Sequence, residues 1–193
     1  MKYSIVFPGQ GSQSLGMLSD LRSNFSVFNE IFQEASDAIN VDLWKIINED
    51  QELLSLTENT QPVMLAAGYA TYKVLASEVN LTPISIAGHS LGEYTALVSS
   101  GSLSFFNAVQ LVRKRAELMQ AAVPSGSGSM AAILGLDDTR VIEICLKASD
   151  KGVVEAVNFN SPGQVVIAGE KDAVAHACEL MKEAGAKRAL VLS

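Results

Sequence analysis

Ser90 sits in Gly88-His89-Ser90-Leu91-Gly92, directly after the short apolar run 84–87 and directly before helical spacing that resumes over residues 91–99. This is the G-x-S-x-G pattern of a nucleophile elbow. A serine between a strand end and a helix start occupies a tight turn, which needs glycine wherever a Cβ would collide. The turn lifts the hydroxyl above the sheet and aims the following backbone N–H groups at the same point. At the positive end of a helix dipole, those groups stabilise the oxyanion of a tetrahedral intermediate. The bare pentapeptide also occurs as a merely structural turn. Here the strand before it and Leu91-Gly92-Glu93-Tyr94 after it favour the catalytic reading.

The rest of the chain has the alternation such an elbow requires. Ser4–Phe7 reads as a strand ending in the Gly-rich loop Pro8-Gly9-Gln10-Gly11-Ser12-Gln13. Phe25, Phe28, Ile31, Phe32 and Ala35 mark a helix within 24–39. Pro62 fits the first turn of a long helix to about Val79, where its missing N–H is unneeded. Pro83 precedes the strand 84–87, and Ser104 is a plausible N-cap for a helix to about Val123. The prediction is an α/β fold with a largely parallel sheet.

The small-residue stretch Pro124-Ser125-Gly126-Ser127-Gly128-Ser129 marks a domain boundary. Beyond it the pattern gives strand 130–136, helix 138–149, strands 153–158 and 164–168, helix 171–185 and strand 187–192. That βαββαβ order is ferredoxin-like. Residues 124–193 therefore close as a subdomain, whereas 1–123 supply too few strands for a complete α/β sheet. With the chain stopping at Ser193 on an apolar strand, the expectation is that a C-terminal segment returning to the first sheet is absent.

Arg115 is the most informative residue outside the elbow. Wrapped at about 100° per residue, 105–123 gives an apolar stripe of Phe105, Ala108, Val109, Val112, Ala116, Met119 and Val123, widened by Leu111, Leu118 and Ala122. Arg113 and Lys114 fall on the polar face and read as solvated charges. Arg115 lies in the widened apolar arc, where an unpaired guanidinium is costly. It needs a carboxylate, from the protein or from a ligand, and an arginine fork binds one bidentately. The second oxyanion donor has its obvious source in loop 8–13, which otherwise reads as an N-terminal turn and lacks the lysine of a phosphate loop.

A serine nucleophile needs a base within hydrogen-bond reach. The two histidines are poorly suited: His89 adjoins Ser90 and points away, and His176 reads as a surface residue of the second unit. Gln61 is either a helix N-terminal residue or an active-site amide. Residues 158–164, with Asn160, read as a polar hairpin turn. Cys145 and Cys178 lie in apolar helical patterns without zinc or disulfide spacing, as reduced core thiols of a cytoplasmic protein. A net charge of −7 without a basic stripe argues against nucleic acid. The N-terminus lacks a signal-peptide pattern, and no apolar run reaches the roughly 18 residues of a membrane span.

Residues 7–13, Gln61-Pro62, residues 88–94, Arg115 and residues 158–169 together resemble the malonyl-CoA:acyl-carrier-protein transacylases of bacterial fatty acid synthesis, in order and spacing along the whole chain. The resemblance implies a hydrolase-like α/β domain with an inserted ferredoxin-like subdomain. It implies Ser90 as nucleophile, the N–H groups of Gln10 and Leu91 as oxyanion hole, and Arg115 as holder of the malonyl carboxylate. Gln61 and Asn160 take supporting roles near the site. Malonyl-CoA and acyl carrier protein are the implied partners, with neither metal nor cofactor. The family's catalytic histidine follows the ferredoxin-like subdomain, so it has no position among these residues. An esterase or thioesterase would share the elbow but has no reason to keep Arg115 in an apolar arc. A non-catalytic carrier-protein-binding fragment leaves the intact elbow unexplained, and a polyketide-synthase acyltransferase domain would share every motif.

Overall fold

Strands β1 (Ser4–Phe7) and β2 (Ser85–Gly88) pair in parallel, with Phe7 opposite Gly88. The register brings both strands to an end at one level, so loop 8–13 and the elbow start side by side. The computed structural model describes residues 2–124 and 126–192. Ser125, in the predicted boundary stretch, and Ser193, the predicted stop, lie outside the described residues. The chain divides into two compact units, Met1–Ala121 and Ala122–Ser193. The class is α/β, and among the described residues no helix is long and apolar enough to cross a membrane.

The first unit is dominated by helices: α1 (Ser19–Asn24), α2 (Ser26–Ile39), α3 (Leu43–Glu49), α4 (Gln51–Ser55), α5 (Thr57–Glu78), α6 (Leu91–Ser99) and α7 (Phe105–Ala122). Helix α2 buries Phe28, Ile31, Phe32, Ala35 and Ala38, the i, i+3, i+4, i+7 set of an amphipathic helix. Phe28 and Phe32 stack at 4.8 Å, and Trp44 of α3 meets both edge-on. Burying side chains of this size stabilises by about 1.5–3 kcal/mol each. The short helices α3 and α4 start at Asp42 and Asp50, whose carboxylates accept from the N–H groups of Lys45 and Leu53.

Helix α5 starts one turn earlier than its proline suggests. It begins at Thr57, so Pro62 lies inside the helix rather than in its first turn. Helix α7 buries Phe105, Ala108, Val109, Val112 and Ala116, but Met119 and Val123 are exposed, so the predicted stripe is real only in its first three turns.

In the second unit, β3 (Gly128–Leu134), α8 (Asp138–Ala148), β4 (Val154–Ser161), β5 (Gln164–Glu170), α9 (Lys171–Glu183) and β6 (Arg188–Leu192) follow one another. The sheet is antiparallel in the order β4-β5-β3-β6. Ala131 and Ile133 of β3 are buried while Met130 is exposed, the alternation of a sheet covered on one face. Helices α8 and α9 form the cover with Ile144, Val174, Ala177 and Met181. Residues 158–161, expected in a turn, belong to β4, which carries two register irregularities; only Pro162 and Gly163 are left to turn the chain. Bulges in a polar strand produce the same composition as a loop.

Candidate active site

The elbow is fixed by contacts that tolerate no side chain at either glycine. A Cβ on Gly88 would collide with the backbone of Gly92, and one on Gly92 with the carbonyl of Phe7. The His89 N–H donates to the Phe7 carbonyl at 3.0 Å, and the Gly92 N–H to the His89 carbonyl at 2.9 Å. Between them Ser90 has φ 52° and ψ −111°, a conformation that residues other than glycine rarely adopt. Strain of this kind persists only where surrounding structure over-determines it, and it gathers at functional sites. The result is an exposed serine hydroxyl at the start of α6.

Leu91, the first residue of α6, lies among the helix-start N–H groups that lack an intrahelical acceptor. Loop 8–13 reaches the same place. A Cβ on Gly9 would stand 3.2 Å from the His89 carbonyl and 3.8 Å from the Ser90 Cβ, which puts Gln10, the next residue, beside the elbow. The Gln13 side chain accepts from the Gly11 N–H at 2.8 Å and curls the loop on itself.

Arg115 crosses from α7 to this serine. Its Nη2 donates to Ser90 Oγ at 3.0 Å and its Nη1 to Gln61 Oε1 at 2.6 Å. The guanidinium carbon lies 5.7 Å from the centre of the Tyr94 ring. Gln61 is fully buried, and its Nε2 donates to Met119 Sδ at 3.4 Å. Among the described residues Arg115 forms no ion pair, although Arg113 and Lys114 beside it both do. The carboxylate that its position demands is therefore not supplied by this unit's described residues.

Three of the predicted site residues, Ser90, Arg115 and Gln61, thus share one hydrogen-bonded cluster, with Leu91 and the Gln10 loop adjoining it. Asn160 is exposed on β4 of the second unit. His89 is exposed, with its Nδ1 close to Gly9. His176 lies on α9 with Nδ1 3.9 Å from Glu179. Among the described residues no three His, Cys, Asp or Glu side chains gather as a metal ion would need.

Arg113 departs from its sequence reading. Instead of a solvated charge it is a half-buried group that donates to the Glu58 carbonyl, to Asn59 and to Glu117. The hydrogen bond from Arg113 holds the Glu117 carboxyl below its ordinary range, with Lys114 adding to the effect. The available signal was Pro62, which removes the N–H that would otherwise serve the Glu58 carbonyl.

Residues 4–192 match the family model described as acyl transferase domain. A curated relative from Haemophilus influenzae, a malonyl CoA-acyl carrier protein transacylase, is 53% identical over 194 residues, covering 100% of this chain and 62% of its own length. A crystal structure of an acyl-carrier-protein S-malonyltransferase from Burkholderia pseudomallei superposes with a TM-score of 0.94 at 56% identity, covering 100% of this chain and 62% of that one. A malonyl-transacylase in complex with its type II PKS acyl-carrier protein gives a TM-score of 0.96 at 49% identity, with 100% of this chain and 63% of that one covered. The chain spans about three-fifths of the length of these relatives.

Proposed function

The chain belongs to the acyl transferase domain family, and on that premise we propose that it forms the nucleophile-bearing part of an enzyme that moves malonyl groups from malonyl-CoA to acyl carrier protein. The relatives at 49–56% identity are named for this transfer. The observation that carries the reading is Arg115: a guanidinium bonded to the Ser90 hydroxyl, oriented by buried Gln61, and without an ion-pair partner among the described residues.

Ser90 Oγ attacks the thioester carbonyl of malonyl-CoA as its proton passes to a base. The oxyanion of the tetrahedral intermediate is met by the N–H groups of Leu91 and Gln10. The C–S bond breaks, and coenzyme A leaves as a thiol once protonated. The pantetheine thiol of acyl carrier protein then attacks the Ser90 ester, and the serine oxygen recovers a proton as the new thioester forms. Throughout, the free malonyl carboxylate takes the Arg115 fork in place of the serine contact. A charge-assisted pair of this kind contributes on the order of 1.5–3 kcal/mol. Neither His89, with its ring beside Gly9, nor His176, on α9, is assigned as the base.

The same reading covers the architecture. Residues 1–123 are the N-terminal part of a hydrolase-like domain, supported by the parallel β1–β2 pair ending at the elbow. Residues 124–193 are a ferredoxin-like subdomain, supported by the order β4-β5-β3-β6 with two helices on one face. The chemistry takes no metal or cofactor and suits a cytoplasmic enzyme.

The test is mass spectrometry of the full-length natural protein containing residues 1–193 after brief incubation with malonyl-CoA. One malonyl group is expected on the peptide holding Ser90, and none in the Ser90→Ala variant. Label on Cys145 or Cys178 instead, or no label on the parent, overturns the assignment.

A further inference from the structure

Two arginines of α7 hold the same end of α5. Positions two apart on a helix lie about 200° apart around its axis, so Arg113 and Arg115 reach α5 from different sides. Arg115 takes Gln61. Arg113 takes the turn before it: Nη1 donates to the Glu58 carbonyl at 3.0 Å and to Asn59 Oδ1 at 2.9 Å. Its Nη2 lies 3.5 Å from Glu58 Oε1, and its Nε donates to Glu117 Oε1 at 3.1 Å.

The Glu58 carbonyl is singled out for a covalent reason. In an α-helix that carbonyl accepts from the N–H four residues on. Four residues on is Pro62, which has no N–H. The proline thus leaves a carbonyl without its intrahelical donor in the turn just ahead of Gln61, and the guanidinium supplies one. Asn59 extends the restraint: it is buried, and its Nδ2 donates to the Leu53 carbonyl of α4 at 2.9 Å. The Arg113 side chain is only 23% exposed, so these bonds are partly sheltered from competing water.

We infer that Arg113 is a positioning residue: by supplying the donor that Pro62 lacks, it fixes the turn that aims Gln61 Oε1 at Arg115, and through Arg115 it sets the site's preference for an acyl group bearing a carboxylate. The inference rests on the reading of Arg115 as anchor of the malonyl carboxylate. A purely structural Arg113 would instead make its removal a loss of stability blind to the substrate.

The experiment compares malonyl-CoA and acetyl-CoA as donors, in kcat and KM, with the full-length natural protein and its Arg113→Met, Pro62→Ala, double and Arg115→Ala variants. Misplacement of a binding group by about 1 Å costs up to roughly 10²-fold. Arg113→Met is expected to lower kcat/KM for malonyl by about tenfold or more and to change acetyl less than about twofold. Adding Pro62→Ala returns an N–H to the Glu58 carbonyl and restores most of the malonyl activity. Arg113→Lys keeps one donor toward that carbonyl, falls between, and serves if Arg113→Met does not fold. Equal losses with both donors, no loss, or a loss that Pro62→Ala leaves untouched overturns the inference. Arg115→Ala separates the two levels. If it is selective against malonyl while Arg113→Met is not, only the positioning role falls; if it affects both donors equally, the carboxylate-anchor reading itself has failed.

Discussion

Gln61 is fully buried, and its neutral amide oxygen Oε1 accepts from Arg115 Nη1 at 2.6 Å. An amide there orients the guanidinium without cancelling its charge. A carboxylate at the same atom would form a charge-assisted pair and leave less of the fork for an incoming substrate. Gln61→Glu is therefore expected to lower malonyl transfer by on the order of tenfold, a change of about 1.4 kcal/mol, and to affect acetyl transfer much less. Steady-state assays with both donors check this; a variant that keeps malonyl transfer at the parent rate would remove Gln61 from the site.

Gly92 carries a sharper steric constraint. Its missing Cβ faces the Phe7 carbonyl at close quarters, with the Pro8 carbonyl oxygen at 2.6 Å. Backbone on both sides cannot swing away as a side-chain tip would. Gly92→Ala is expected to destabilise by about 3 kcal/mol or more and to abolish acylation of Ser90. Gly101, with open space around its Cβ position, is the control: alanine there meets only an unfavourable φ of 77° and costs about 1 kcal/mol. Chemical denaturation of both variants tests the ranking, and similar midpoints would contradict the steric account.

The Gly92 prediction starts from a residue that the sequence makes conspicuous. Gly88 and Gly92 stand out because strand, turn and helix can meet around a serine only if two Cβ atoms are missing. Arg115 stands out because a helical wheel puts a charge in an apolar arc. What a wheel cannot register is the neighbour across the gap. Arg113 falls on the polar face, and only the approach of α5 turns that face into a partner surface. The start of α5 is silent for a local reason: its N-cap is Leu56, whose apolar side chain has no acceptor for a helix-start N–H. The caps Asp42 and Asp50 do carry a signal, but helices of seven and five residues are too short to show a period. Asn160 reads as turn because bulged strand and loop share composition.

Ser90 holds its turn at a conformational cost. With φ 52° and ψ −111°, an L-residue there is strained by about 1–3 kcal/mol, and glycine is not. Ser90→Ala removes the hydroxyl and keeps the strain, whereas Ser90→Gly removes both. Ser90→Gly is expected to melt higher than Ser90→Ala, by about 2–4 °C for each kcal/mol relieved. Calorimetry of the two inactive variants decides the matter, and a lower Tm for the glycine variant would show that the turn is not strained.

The buried thiols give the chain a stability limit on the alkaline side. Burial, with smaller contributions from Cys178 and Glu155, pushes the Cys145 thiol from its ordinary 9.0 up to about 11; Cys178 is raised too, again mainly by burial. The raised pKa means that the folded state holds the thiol proton more tightly than the unfolded state. The sign follows from linkage: the stabilisation is complete below pH 9 and is lost as pH rises from 9 through about 11. Denaturation midpoints of the second unit should therefore be insensitive to these thiols at pH 7 and fall across that window. Cys145→Ala should flatten the fall while lowering stability at pH 7 through the cavity it leaves. Thiol titration gives a second readout. Both cysteines are less than 5% exposed, so a thiol reagent at pH 8 should react only as fast as the second unit opens. Rapid, complete labelling of the native protein at pH 8 would contradict both the burial and the direction of the shift.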